Sequence, residues 1–169
     1  MVRPILKLGA PALQRPATVV PEITAGIQQI LEDMIETMHA APGIGLAGPQ
    51  VGVPLRLFVV DLSVGRRASD LQVFVNPEIV EREGLQLEEE GCLSLPGFAA
   101  TVVRPRRMVV RAMDRSGHQR TVEGTGLLAR ALQHEMDHLD GMIYVQRLRG
   151  LQRASIERGV RTLVHKGQW

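Results

Sequence analysis

Between Leu127 and Leu139 the chain reads LLARALQHEMDHL, a helical pattern with demands on two sides. Leu128, Leu132 and Met136 recur every fourth residue on one face, and His134 and His138 recur at the same spacing on another. A helix of this kind has to be packed on more than one side, so the remaining elements must surround it. Thr125 stands where a cap would open it, and Gly141 suits its C-terminal end.

In TAGIQQILEDMIETMHAAPG, residues Ile27, Ile30, Leu31, Met34, Ile35 and Met38 recur at helical spacing. Thr24 is placed to cap this helix and Pro42-Gly43 to end it. LRLFVVDL and VFVNPEIV predict strands, while RMVVRAM and RTVEG flank DRSGHQ as a hairpin with Gly117 in its turn and His118 exposed. A last helix follows Gly150, with Leu151, Ile156, Val160 and Leu163 as its apolar side. This order lacks the regular alternation of a parallel doubly wound sheet. The expected fold is α+β, with mixed, mainly antiparallel sheets around the central helix and a helix towards each end.

At 169 residues the chain is expected to form one domain, 1–169, long enough to bury a core. MVRPILKL lacks the apolar run of a secretory signal, no stretch is suited to span a bilayer, and the single cysteine, Cys92, fits a reducing compartment. The reading is cytoplasmic, with no membrane partner. A formal net charge of +2 gives no argument for DNA binding. The stretch QRLRGLQRASIERGVRTLVHK is locally basic and reads most simply as a solvated helix face.

Two imidazoles one helical turn apart can bind one divalent ion, but a stable site needs a third ligand. Glu135 cannot easily join both imidazoles on the ion, yet can reach a water beside it, the geometry of a general base. For the third ligand, Tyr144 stands where one protease class has a further histidine, which removes that class. Glu157, as in a small zinc endopeptidase, and Cys92, in the turn EGCLSLPG, both remain open. Zinc, iron(II), cobalt and nickel all suit a thiolate with two imidazoles.

GIGLAGPQ (Gly43 to Gln50), EGCLS (Glu90 to Ser94) and QHEMDH (Gln133 to His138), in this order and at these separations, resemble the three signature motifs of the peptide deformylases. The similarity takes in the first helix, FVNPE and the hairpin. That family removes the formyl group from the N-terminal formylmethionine of nascent chains and releases formate. The resemblance implies one divalent ion per chain, Fe2+ in the cell with Zn2+, Ni2+ or Co2+ as substitutes, held on the central helix by His134 and His138 together with Cys92. It implies Glu135 as the acid-base, with the Gln50 side-chain amide and the Leu93 backbone N–H as oxyanion donors. N-formylmethionyl peptides would then pair as an added strand with Gly43 to Gly45, with Gly91 on the other side. Ile44, Leu127 and Ala131 would wall the methionine pocket. Arg130 would stand at its entrance, against peptide carbonyls or an acidic neighbour such as Glu90.

Three positions depart from the commoner pattern of that family. Gly48 replaces an expected alanine and is expected to loosen the loop carrying Gln50. Ala99 replaces an arginine that would meet the downstream peptide, and Arg130 replaces an apolar residue. The resemblance also gives the basic terminal helix a partner, the ribosome. A relative that binds peptide or metal without turnover is the remaining alternative, and the intact Glu135 and Gln50 argue against it.

Overall fold

In the computed structural model, which describes residues 1–169, the methionine-rich amphipathic run forms α1 (Ala25–Ala40). The Thr24 hydroxyl accepts the Ile27 N–H at 3.3 Å, satisfying one of the free donors of its first turn. Seven strands follow: β1 (Gly45–Ala47), β2 (Leu57–Val60), β3 (Gln72–Glu83), β4 (Gln86–Glu90), β5 (Ala100–Arg104), β6 (Arg107–Met113) and β7 (Gln119–Thr125). Five of them make one sheet in the order β1-β2-β3-β6-β7, and β4 and β5 pair as a separate ribbon. Every strand pair is antiparallel. The mixed character expected from sequence is confined to an isolated parallel bridge between Thr18 and Leu55.

The four residues of β2 are all buried because the sheet is covered on both faces. Phe58 and Val60 point into a core shared with Leu132, Met136 and Leu139 of α2 (Gly126–Leu139), with Leu128 packed against it. Leu57 and Val59 point the other way, into a core shared with Leu31, Met34 and Met38 of α1. A third core gathers Leu95, Val102, Tyr144, Ile156 and Val160 where α3 (Gly150–His165) meets the ribbon. So α2 is enclosed between the large sheet and the ribbon, as its two-sided pattern requires. No helix is long and apolar enough to cross a membrane.

Several local expectations change in the folded chain. Thr125 occupies the N-cap position of α2 but makes no side-chain cap bond, because β7 runs straight into the helix through Gly126 at φ +57°. Leu151 is 88% exposed: it lies about 140° around the helix from Ile156 and so falls outside the stripe formed by Ile156, Val160 and Leu163. The turns behave as read, with Gly117 at φ +84° in the β6–β7 hairpin and Gly141 at φ +80° just past α2. In β3, Asn76 adopts φ +51° at a bulge. Its side chain bonds both the N–H and the carbonyl of Val20, at 2.8 and 2.9 Å, fastening the N-terminal segment to the sheet.

Candidate metal centre

α2 presents His134 and His138 one turn apart, and the loop after β4 brings in Cys92. The ligand atoms of the three residues lie within 4.8 Å of one another. The Nε2 atom of His138 is 3.2 Å from Nε2 of His134 and 3.4 Å from the Cys92 sulfur. One sulfur and two imidazole nitrogens converging in this way suit a divalent ion with a fourth position left over. Glu157, the rival third ligand, is bonded to Arg153 at 2.8 Å on α3 and is absent from this cluster. Tyr144 is fully buried, its ring centroid 6.3 Å from that of His134.

A layer of charge lies behind the ligands. Nδ1 of His134 is 2.9 Å from Glu90, which aims Nε2 at the cluster. Glu90 in turn receives Arg104 at 2.5 Å and Arg130 at 2.6 Å, and Arg104 reaches on to Asp137 at 2.5 Å. Asp137 also receives Arg147 at 2.6 Å. Burial alone would raise the Glu90 pKa, but His134 and Arg104 outweigh it and hold the carboxyl at about 2. In His134 burial is likewise overcome, here by Cys92 and Glu90, and the ring titrates well above its ordinary value. His138 goes the other way, driven well down by burial and by the charge of His134.

Glu135 is 3% exposed, and burial raises its pKa to about 7. Its Oε2 has no hydrogen-bond partner. A buried carboxylate oxygen left free at the edge of a donor cluster fits a site completed by an ion and water. Gly45 makes room for it, since a Cβ there would sit 2.3 Å from Glu135 Oε1.

Gln50 is held by its own turn, Gly48–Val51: its side-chain carbonyl accepts the Ala47 N–H at 2.9 Å. The amide nitrogen therefore faces the Cys92 loop, 3.1 Å from the Ser94 hydroxyl and 3.6 Å from the Cys92 sulfur. A Cβ at Gly48 would meet the carbonyls of Val53 and Leu55 at 2.8 and 2.9 Å, so the glycine lets the following backbone close in.

A cavity of about 450 Å³ opens over the cluster. Gly43 and Ile44 line it from the segment leading into β1 and Gly45 from the strand's first residue, and Glu90, Gly91, Cys92 and Leu93 from the ribbon and its loop. Leu127, Arg130, Ala131, His134 and Glu135 line it from α2, and Gln50 from its turn. Leu127 is a half-exposed wall, whereas Arg130 is buried, its guanidinium shared between Glu90 and the Val102 carbonyl at 3.1 Å. The acidic neighbour expected for Arg130 is therefore Glu90. Sequence reasoning missed Leu95 and Phe98 in the wall, and Arg104, Asp137 and Ser94 around the ligands. The one available signal was ATVVR, whose alternation marks β5 but puts an arginine at an inward position.

A family model described as polypeptide deformylase matches residues 2–154. The chain belongs to this family. The peptide deformylase of Acidobacterium capsulatum is 45% identical over 169 residues, covering 100% of this chain and 99% of that one. That of Thermodesulfovibrio yellowstonii is 48% identical over 150 residues, 89% of this chain and 91% of its own. Among solved structures, the peptide deformylase of Legionella pneumophila superposes with a TM-score of 0.92 at 41% identity, covering 99% of this chain and 98% of that one. That of Thermus thermophilus does so at 0.89 and 43%, with the same coverage. As a member of this family the chain is a metal-dependent hydrolase, and Cys92, His134 and His138 form a cluster that could hold one metal ion.

Proposed function

We propose that this chain, acting as one unit over residues 1–169, removes the formyl group from N-formylmethionyl nascent peptides in the cytoplasm. The observation that carries the reading is the unpartnered Glu135 carboxylate, buried beside three converging ligand atoms at the floor of the cavity.

Cys92, His134 and His138 would hold the ion, Fe2+ in the cell with Zn2+, Ni2+ or Co2+ as substitutes. When bound it supplies Lewis acidity, making water more acidic and a carbonyl more electrophilic. The protein's own groups account for the rest. Glu135 takes a proton from the water that attacks the formyl carbon and returns one to the nitrogen as the C–N bond breaks, leaving formate and a free amine. A carboxyl near pKa 7 is suited to both transfers. Gln50 Nε2, fixed by its Ala47 bond, and the Leu93 N–H, which has no acceptor within the protein, face the oxygen on which charge develops.

The substrate lies extended between two strand edges. β1 is the outermost strand of its sheet and lines the cavity, so Gly43 to Gly45 can pair with a peptide, while Glu90 and Gly91 border it from the ribbon. Ile44, Leu127 and Ala131 receive the methionine side chain, and Arg130 stiffens that wall through Glu90. The basic outer face of α3 is proposed as a ribosome contact, which would weaken steeply with salt.

The deciding assay is formate release from formyl-Met-Ala-Ser by protein reconstituted anaerobically with Fe2+, beside a casein-cleavage control. Wild type should release formate. Cys92→Ser should lose its metal, and Glu135→Gln should keep it while losing at least ~10²-fold in turnover. Casein cleavage without formate would reject the reading, as would equal inactivity of wild type and Glu135→Gln.

A further inference from the structure

The two oxyanion donors of the proposed mechanism come from loops that are remote in sequence, the Gly48–Val51 turn and the Cys92 loop. A short N-terminal segment ties these loops together. The Leu6 N–H donates to the carbonyl of Gln50 at 2.8 Å, and the Leu8 N–H donates to the carbonyl of Ser94, the neighbour of Leu93, also at 2.8 Å. One edge of the segment thus serves both loops, while the Lys7 N–H between them has no acceptor within the protein. Both ends of the segment are fastened. Upstream, the Arg3 guanidinium donates to Asp33 of α1 at 2.9 and 3.0 Å, and the Arg3 backbone N–H donates to the Thr37 hydroxyl at 2.8 Å. Downstream, the Trp169 indole N–H donates to the Leu8 carbonyl at 2.8 Å and the Ala10 N–H to the Lys7 carbonyl at 3.0 Å. The Leu6 and Leu8 side chains pack against the third core.

We propose that Leu6 and Leu8 are positioning residues, a strap whose two backbone N–H groups set the spacing between the Gln50 side-chain amide and the Leu93 N–H. This rests on the deformylase reading above. The direct bond between the two loops, from Gln50 Nε2 to the Ser94 hydroxyl at 3.1 Å, occupies the same amide that has to face the developing charge. That bond weakens when the amide turns to the substrate oxygen, whereas the strap uses only backbone groups that take no part in the reaction. The Ser94–Leu95 peptide also donates through the Leu95 N–H to the Cys92 carbonyl at 2.9 Å, so holding the Ser94 carbonyl holds the turn that carries Leu93. Donors aimed at the place where charge develops act in the transition state, so a change in their spacing falls on kcat and leaves substrate binding in place.

The test replaces Leu6 or Leu8 by its α-hydroxy analogue, which exchanges the backbone N–H for an oxygen and keeps the side chain. Val160→Ala, on α3 in the same core, is the destabilised control. With metal-loaded protein and formyl-Met-Ala-Ser, each exchange should lower kcat about tenfold while KM stays within about twofold of wild type. Val160→Ala should lower the urea midpoint while its kcat stays within about twofold. In the metal-free protein, the NMR resonances of the Gln50 side-chain amide and the Leu93 backbone amide should move in either exchanged chain and stay in place in Val160→Ala. If one exchanged chain fails to fold, the other carries the test. A kcat near that of wild type in the exchanged chains would overturn the strap, as would losses no larger than that of Val160→Ala. A wild type that releases no formate would remove the deformylase reading by itself. The two resonances would then decide the strap alone, their movement upholding it and their constancy overturning it.

Discussion

The two sides of α2 are held by different physics. Towards the five-stranded sheet, Leu132, Met136 and Leu139 are buried among Phe58, Phe74 and Val110, where contact is non-directional and roughly proportional to area. Towards the ribbon, the same helix is held by a relay of charge from His134 through Glu90, Arg104 and Asp137 to Arg147. The apolar side fixes where the helix lies. The charged side fixes how the His134 imidazole is turned, which only directional bonds can do, and the difference predicts unequal tolerance to substitution.

The largest effect is expected at Arg104, which is 1% exposed and serves two buried carboxylates. Arg104→Met removes the buried cation that links the two carboxylates, leaving Glu90 to Arg130 and His134 and Asp137 to Arg147, a loss of about 3 kcal/mol together with weakened metal retention. Urea unfolding and metal analysis of the same preparations measure both. Unchanged stability would mean that the relay merely decorates a helix already held by apolar contact.

Gly45→Ala should separate geometry from stability. The new methyl group would collide with the Glu135 carboxylate and displace it, costing on the order of 10²-fold in turnover while the unfolding midpoint moves little. Activity near that of wild type would show that Glu135 finds a second working position.

On the apolar side, Leu132→Met conserves volume and should cost less than about 1.5 kcal/mol, with metal content unchanged. A loss as large as that of Arg104→Met would erase the contrast between the two faces.

The smallest effect is confined to acid. Asp61, buried beneath the turn after β2, would be raised by burial, but the Ser63 hydroxyl, His39 at 2.7 Å and the Gly65 and Ser63 amides hold it at about 2. Its folded value lies below the ordinary 3.8, so its stabilising contribution is present above pH 4 and disappears as pH falls towards 2. Stability measured against pH should fall less steeply over that interval in Asp61→Asn than in wild type. Parallel slopes would assign the acid limb to other carboxylates, Glu90 first among them.

Legibility from sequence followed the range of each interaction. The α1 and α2 helices, the hairpin at Gly117 and the glycine after α2 were readable because helical spacing and turn conformation are local properties of consecutive residues. The β4–β5 ribbon was not fully readable: Arg104 interrupts the apolar alternation of β5 at the position where it reaches Glu90 and Asp137. Leu151 misled because an apolar residue near a helix start can lie off the buried stripe.

By itself, the sequence determined that two imidazoles share a helix face with a carboxylate between them, and that Cys92 or Glu157 had to supply the third ligand. The motif resemblance favoured Cys92, but only the tertiary structure brought its sulfur to His138 across 46 positions and left Glu157 in an ion pair on another helix. It also decided that Glu90 orients His134, that Arg130 is spent on Glu90, and that Leu6 and Leu8 join the Gln50 turn to the Cys92 loop. Helical periodicity fixes which side chains face the same way. Which distant groups they meet depends on how the sheet and ribbon close around the helix, and no spacing along the chain encodes that.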